Sequence, residues 1–172
     1  MIKYQIGYGL KLVFVGINPH PGSYRRGVPF SNNKMFWYLL YAAGLIDESR
    51  EILKDDKKLK HLYMHEFKKK YHFGILNLVD RQTNNVSSLK KSEAIPGRKS
   101  ILAAIHKYQP EVVCFVGKIT YQMFSGLQDV SYGWQPDIDA SKIYVMHPPH
   151  HGLASVRIKD LKEIQTYIKK EQ

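Results

Sequence analysis

The segment from Gly16 to Ser23 (GINPHPGS) carries residue types suited to chemistry at the end of a strand. It follows Leu12 to Val15 (LVFV), a continuous apolar run typical of a strand that is buried on both faces of a sheet. Glycine and proline then stop the strand and stiffen the loop, which leaves the amide of Asn18 at the strand's carboxyl end. Ligands bind at that edge of open α/β sheets. The same residues also suit a plain strand-terminating turn, and spacing alone does not separate the two interpretations.

Polar, sharply turning residues also follow three later apolar runs. Because the carboxyl ends of parallel strands lie on one edge of a sheet, we expect these segments to converge although they are far apart in sequence. They contain Asn77, then Gly117-Lys118, and finally the loop from His147 to Leu153 (HPPHHGL).

The three histidines of this last loop raise the possibility of a metal site. However, His150 and His151 are adjacent, two prolines stiffen the approach, and no second cluster of Asp, Glu or Cys supplies further ligands. We therefore predict no metal and no other cofactor, and favour a hydrogen-bonding or phosphate-contacting role for the loop.

Three other loop residues each allow two interpretations. Phe30 lies outside any periodic apolar face, so it either packs beside the core or stacks on a base. Leu153 either covers the core or acts as an apolar wedge. Lys118, after a glycine at a strand end, either meets a phosphate or is a solvated lysine at the start of a helix.

Hydrophobic patterning predicts the elements that position these residues. Four apolar runs have the spacing of parallel strands joined by helical crossovers, which predicts a single three-layer α/β/α domain over residues 1–172. The predicted strands are Leu12–Ile17, Phe73–Val79, Val112–Val116 and Ile143–Met146. The predicted helical segments are Met35–Leu45, Glu51–Tyr71, Pro96–Lys107, Thr120–Phe124 and Lys159–Lys169, with loops at Arg81–Glu93 and Leu127–Ser141.

Composition narrows the class of protein. The chain has 172 residues and 44% hydrophobic content, which is enough for one core. It contains no apolar run of about 18 residues and no recognisable secretion signal, so we expect no membrane association. The single cysteine, Cys114 in the run VVCFV, is expected to serve packing. We expect a cytoplasmic protein, associated with the nucleoid in a prokaryote, and a monomer.

The charge balance favours a polyanionic partner. Lys and Arg number 26 against 15 Asp and Glu, for a formal net charge of +11, and nucleic acids attract such surfaces through phosphate contacts. The lysines are scattered rather than gathered in one tail, so a solvated basic surface is the alternative explanation.

Several motifs together resemble one family. Gly16 to Pro19 (GINP), Val28 to Ser31 (VPFS) and Phe36-Trp37 resemble the mismatch-specific uracil-DNA glycosylases and thymine-DNA glycosylases. The resemblance continues in the same order through roughly residues 10–168, which makes it far more specific than GINP alone. Its later parts are Gly74–Thr83 (GILNLVDRQT), Gly97–Lys99, Tyr108–Pro110, Val116–Lys118, His147-Pro148 and Gly152-Leu153.

The resemblance implies a uracil-DNA glycosylase fold with a four-stranded parallel sheet, and base excision at its carboxyl edge. The target base would be flipped out of duplex DNA into a pocket, where Phe30 would stack on it. The backbone around Ile17 and Ser23, with Asn77, would bind the polar edge of the base. Asn18 would orient the attacking water, because an amide cannot act as a general base.

The last motif departs from the family's usual form. His147 stands where mismatch-specific members often have asparagine, and we predict that it donates a hydrogen bond to a carbonyl oxygen of the departing base. Three residues separate His147-Pro148 from Gly152-Leu153, which is longer than usual, and Leu153 is the predicted wedge. No arginine directly follows the wedge; Arg157, one helical turn later, is the nearest candidate for DNA contact, so mismatch specificity stays open.

The resemblance thus implies a monofunctional DNA glycosylase of base excision repair, acting on double-stranded DNA. Its substrate would be uracil, in G:U mismatches, with thymine or modified cytosines as further candidates. One alternative is a catalytically inactive nucleic-acid-binding module of the same fold. Another is a nucleotide-binding α/β protein, which the absence of GxxxxGK[ST] and GxGxxG weakens.

Overall fold

Strands and helices alternate along residues 1–170, the part of the chain that the computed structural model describes. The strands are β1 (Leu12–Gly16), β2 (Phe73–Asn77), β3 (Val112–Val116), β4 (Gly133–Ile138) and β5 (Ser141–Met146). The helices are α1 (Pro21–Arg26), α2 (Met35–Ala42), α3 (Arg50–Lys54), α4 (Asp56–His61), α5 (Ala94–Tyr108), α6 (Lys118–Ser125) and α7 (Ala154–Lys170). A π-helical turn (Leu62–Glu66) and two 3-10 turns (Val86–Ser88 and Lys91–Glu93) complete the described elements.

The sheet has the strand order β2-β1-β3-β5-β4, and all neighbours are parallel except β4 and β5. Every residue of β1 and β3 is buried, which explains their continuous apolar sequences: each strand has a covered face on both sides. The predicted three-layer α/β/α architecture with a parallel sheet is confirmed.

Alternate residues of each central strand enter two separate cores. Phe14 and Cys114 join a cluster with α2, α4 and α7 on one face of the sheet. Val15 and Phe115 join a second cluster with α5 and α6 on the other face. The two helical layers therefore cover both faces of the sheet, and loops occupy its carboxyl edge.

The predicted number of strands was wrong, because the expected loop Leu127–Ser141 contains the antiparallel edge strand β4. Its sequence (GWQPDI) includes a glycine and a proline, and no residue of the strand is fully buried. The Trp134 ring packs 4.9 Å from Tyr144 and 5.4 Å from Tyr167, and Ile138 packs against the second cluster.

The lysine-rich stretch predicted as one helical segment is divided at Asp55. The carboxylate of Asp55 accepts hydrogen bonds from Lys57 N–H and Lys58 N–H, so it caps α4 and ends α3. The other predicted elements differ by a few residues at their ends. Among residues 1–170, no helix combines the length and apolar character that a membrane span needs.

Helix α5 approaches the backbone after β2 at Gly97. A methyl group on Gly97 would overlap the carbonyl oxygen of Leu78, so only glycine allows this contact. The contact matters because Leu78 begins the loop that carries several candidate site residues.

We predict that Gly97→Ala destabilises the fold although alanine is the better helix former. Alanine in place of glycine gains about 1 kcal/mol in a free helix. Forcing α5 away from Leu78 costs about 2 kcal/mol or more. Urea unfolding should therefore show a lower midpoint for Gly97→Ala, with the exposed Ser100→Ala of the same helix as control. A midpoint raised above wild type would contradict the close packing described here.

Candidate active site

A cavity of about 380 Å³ opens at the carboxyl edge of the sheet. The carboxyl ends of four parallel strands meet there: Ile17 and Asn18 follow β1, Thr83 follows β2, and Pro148 and His150 follow β5, while Asn77 and Val116 are the last residues of β2 and β3. The convergence expected from the strand pattern is present for Asn18, Asn77 and the segment Pro148–His150, whereas Lys118, His147 and Leu153 are not among the lining residues. The other lining residues are Pro19, His20, Ser23, Phe30, Asn32, Asn33, Phe36, Asn84, Val86 and Pro149.

The amide of Asn18 is held in one orientation. Its Nδ2 donates to the carbonyl oxygen of Arg81 and to Oγ1 of Thr83, each at 2.9 Å. The Thr83 hydroxyl donates its own proton to Asn85 O at 3.1 Å, so towards Asn18 it acts as an acceptor. Both partners therefore require the NH₂ end of the amide. The Oδ1 atom of Asn18 is left as an acceptor that can bind a water proton.

Backbone hydrogen bonds hold the loops after β1 and β2 against each other. Leu78 N–H donates to Gly16 O at 2.9 Å, Val79 N–H to Ile17 O at 2.8 Å, and Thr83 N–H to Pro19 O at 3.1 Å. The pairing of β1 with β2 thus continues beyond the sheet, and it includes the residues directly before and after Asn18.

An ion pair anchors the outer part of the second loop. Arg81 Nε donates to Glu93 at 2.6 Å, and this bond, with the Lys90 N–H, lowers the pKa of Glu93 to about 2. A lowered pKa means that the ionised carboxylate stabilises this segment at neutral pH. That contribution is lost as the pH falls from the ordinary carboxyl range towards 2.

Phe30 forms one wall of the cavity, on a tightly held loop. Its φ of 55° is in the left-handed region, which is rare for an aromatic residue. Its ring centroid lies 4.4 Å from that of Phe36. The loop is fixed by Ser31 N–H donating to Ser23 Oγ at 3.0 Å and by Trp37 Nε1–H donating to Pro29 O at 2.9 Å. The buried hydroxyl of Ser23 thus supports the Phe30 loop.

Asn77 ends β2, opposite Gly16 in the β1–β2 register. Its Nδ2 donates to the hydroxyl of Tyr4 at 2.8 Å. Its Oδ1 is buried and has no hydrogen-bond partner among the described residues, a state that costs about 1–3 kcal/mol. A methyl group on Gly16 would lie 2.7 Å from Phe30 Cζ and even closer to Asn77 Oδ1. The edge of the Phe30 ring and the unpaired Oδ1 of Asn77 therefore both lie next to this glycine.

His147 directly follows β5 and is not among the residues that line the cavity, although the next residue, Pro148, is. Its Nδ1 lies 2.7 Å from Asp160 Oδ2, which also accepts the His147 backbone N–H at 2.8 Å. The Tyr132 ring stacks on the imidazole at a centroid distance of 3.6 Å. Because ionised Asp160 only accepts hydrogen bonds, the Nδ1 of His147 carries a proton, and Nε2 donates only when the ring is an imidazolium.

Two other histidines line the cavity, and sequence reasoning gave neither a role there. Gly22 N–H donates to Nδ1 of His20 at 3.0 Å, so the proton of the neutral His20 ring is on Nε2. Burial, with the nearby His151 and Arg157, lowers the pKa of His150 and so favours its neutral form.

The predicted DNA contacts fall into two groups. Leu153, directly before α7, is 73% exposed, and Lys118 is partly exposed, with Nζ 4.4 Å from the Tyr132 ring centroid. In contrast, Arg157 is only 5% exposed. Its guanidinium donates to Pro148 O and Leu153 O, so it supports the loop from within. Gly152, with φ of 77°, leaves room for that guanidinium.

The cavity has a mixed lining of apolar and neutral polar side chains. Its described lining contains no Asp, Glu, Lys or Cys, and no cluster of three or more potential metal ligands occurs among residues 1–170. Such a cavity can stack a flat ring on Phe30, pair its polar edge with an amide and orient a water. It supplies neither a strong base nor an amine that could form a Schiff base.

Sequence reasoning missed two residues that contact the amides of the site. Thr83 stands within the segment GILNLVDRQT, so a signal for it existed. Tyr4 stands in no motif, and the strand pattern contains nothing that predicts its contact with Asn77.

The comparison with known protein families agrees with this geometry. Residues 4–170 match the uracil DNA glycosylase superfamily, which is nearly the whole chain. Members of this superfamily are DNA glycosylases and act on DNA. The chain therefore belongs to the uracil DNA glycosylase superfamily.

Proposed function

We propose that this protein is a monofunctional DNA glycosylase that removes uracil from double-stranded DNA, with G:U mismatches as its main substrate. The observation that carries the proposal is the fixed amide of Asn18, whose Oδ1 is free to bind water in a cavity walled by Phe30. The resemblance to mismatch-specific and thymine-DNA glycosylases supports the mismatch context and extends the candidate substrates to thymine and modified cytosines.

The reaction requires the base to leave the duplex, since its glycosidic bond is inaccessible in the stack. Phe30 then stacks on the flipped base, and the bond breaks largely before water attacks. The resulting oxocarbenium-like sugar is so electrophilic that a water held by Asn18 needs orientation rather than a strong base. This agrees with a lining that contains no carboxylate among the described residues.

The departing base carries negative charge, so its stabilisation is the main electrostatic task. The Asn77 amide and the backbone near Ile17 are the candidates for its polar edge. We assign the carbonyl oxygen of the base to His147, whose ring is held by the contact between its Nδ1 and Asp160. A phosphate contact is the competing role for His147.

DNA engagement follows from the exposed residues at the rim. The net charge of +11 attracts the duplex, Lys118 would contact a phosphate, and the exposed Leu153 would insert into the vacated stack. A lysine is absent from the described cavity lining, which supports a monofunctional enzyme. Borohydride should therefore trap no covalent complex with DNA.

We predict that Asn18→Ala lowers single-turnover excision of uracil by about 100-fold or more, because the water loses its orientation. The measurement is strand cleavage by alkali after incubation with duplexes that contain U opposite G, U opposite A, or with single-stranded U. Asn33→Ala removes an amide from the same cavity and is the matched control. Wild-type protein that binds these DNAs but releases no base would instead indicate the inactive binding module.

We predict that Thr83→Val slows excision by about 10-fold, the worth of one hydrogen bond, because Asn18 loses one of its two fixed partners. Binding to abasic product DNA should stay within a factor of two or so, and Thr83→Ser should restore the rate. Equal losses in Thr83→Val and Thr83→Ser would show that the hydroxyl is not what matters.

We predict that His147→Ala slows single-turnover excision by roughly 100-fold, as expected for loss of a donor to a developing anion. Affinity for abasic DNA should fall much less, because the abasic site no longer holds the base. A comparable loss of rate and of affinity would assign His147 to a phosphate instead.

A further inference from the structure

His20 lines the cavity, in the loop that follows β1. Backbone hydrogen bonds hold the chain around it: Thr83 N–H donates to Pro19 O at 3.1 Å, and Tyr24 N–H donates to His20 O at 2.9 Å. The side chain is held as well, because its Nδ1 accepts from Gly22 N–H at 3.0 Å and so caps α1. The fold therefore fixes both the position and the ring orientation of His20.

This cap hydrogen bond also determines which nitrogen of His20 carries the proton. A backbone N–H can only donate, so Nδ1 is the unprotonated nitrogen and Nε2 of the neutral ring carries the hydrogen. Nε2 makes no hydrogen bond to another described residue. The neutral ring therefore has an N–H donor available for another molecule.

Asn18, two positions earlier in the same loop, cannot supply a donor. Both hydrogens of its Nδ2 are taken, by Arg81 O and by Thr83 Oγ1. The hydroxyl proton of Thr83 is taken as well, by Asn85 O. Asn18 thus offers the cavity an acceptor, and His20 adds a donor beside it.

Two other histidines near the cavity have no such fixed donor in their neutral form. The proton of His147 is on Nδ1, towards Asp160, so the Nε2 of its neutral ring is an acceptor. His150 makes no side-chain hydrogen bond to another described residue, so no partner there fixes the position of its proton. His20 therefore differs from both in having a neutral ring with a defined N–H.

A departing uracil needs such a donor. When the bond between C1′ and N1 breaks, its electron pair stays on the base and spreads over N1 and the carbonyl oxygens. Water then adds to C1′ and releases a proton to the solvent. An N–H held in place before the reaction stabilises the developing anion more than the neutral base, and so lowers the barrier.

We propose that His20 is a further catalytic residue, whose Nε2–H donates a hydrogen bond to the uracil anion as it leaves. The proton stays on His20 throughout. This inference rests on the proposed function, and it adds a donor that does not depend on the protonation of His147. One side chain then has two tasks: its Nδ1 caps α1, and its Nε2 binds the base.

Two substitutions separate these tasks. Asparagine is a good N-cap and can still accept from Gly22 N–H, but its short amide does not reach the position of Nε2. Glutamine caps poorly, whereas its longer side chain carries an N–H about as far from the backbone as Nε2.

His20→Asn should therefore slow single-turnover excision of uracil from a U:G duplex roughly 100-fold, with an unchanged thermal midpoint. His20→Gln should excise within about 5-fold of the wild-type rate, and its thermal midpoint should fall by about 2–4 °C. The thermal scans also show whether each variant is folded.

A better leaving group tests whether the lost hydrogen bond is to the base. Fluorine at C5 stabilises the anion, so excision of 5-fluorouracil depends less on a donor, and the loss in His20→Asn should shrink to about 10-fold or less. Affinity for abasic product DNA should stay within a factor of about two, because that DNA has no base. His65→Asn, at an exposed histidine outside the described lining, is the matched control and should keep both wild-type rates.

Excision by His20→Asn at the wild-type rate overturns the role of His20, while the proposed function stands. Equal losses with uracil and 5-fluorouracil overturn it too, because the missing contact is then not to the departing base. So does a loss in His20→Gln as large as that in His20→Asn. Wild type that releases neither base overturns the proposed function and this inference together.

Discussion

The pairing of β1 with β2 extends past the end of the sheet, and the rest of the site depends on that extension. Hydrogen bonds from Leu78, Val79 and Thr83 to the segment Gly16–Pro19 keep the two loops side by side. They bring Asn18 and Asn77, which are 59 positions apart by their numbers, to one cavity. Because the bonds are between backbone atoms, the alignment does not rely on any one side chain.

Two neutral amides determine which hydrogen-bond donors and acceptors the cavity presents. Asn18 is oriented by a carbonyl and a hydroxyl that accept from its Nδ2, and the Nδ2 of Asn77 donates to the hydroxyl of Tyr4. In both cases the Nδ2 end is engaged by protein, and the oxygen is left for another molecule. The site therefore distinguishes ligands by the pattern of donors and acceptors, without a charged residue in its described lining.

Much of the frame could be predicted from the sequence, because burial on both faces leaves a strong pattern. The runs LVFV and VVCFV are central strands, and residues at or after the carboxyl ends of β1, β2, β3 and β5 line one cavity. Strand β4 was missed because this edge strand is not fully buried at any residue and contains Pro136 and few apolar residues. Asn18 could be recognised because it follows the end of a buried strand. Phe30 could be recognised because it lies in a loop, outside any periodic apolar face. Tyr4 and the inward-facing guanidinium of Arg157 depend on tertiary contacts that no local pattern encodes.

The support beneath Leu153 has a consequence for the search along DNA. One guanidinium binds the carbonyls at both ends of the segment Pro148–Leu153, and Gly152 gives it room. The protruding leucine is thus ordered before any duplex is met, and little chain entropy remains to be lost on contact. On the function proposed above, the energetic cost of opening the helix would then fall on the nucleic acid itself, and base pairs that are already weak would be opened most readily.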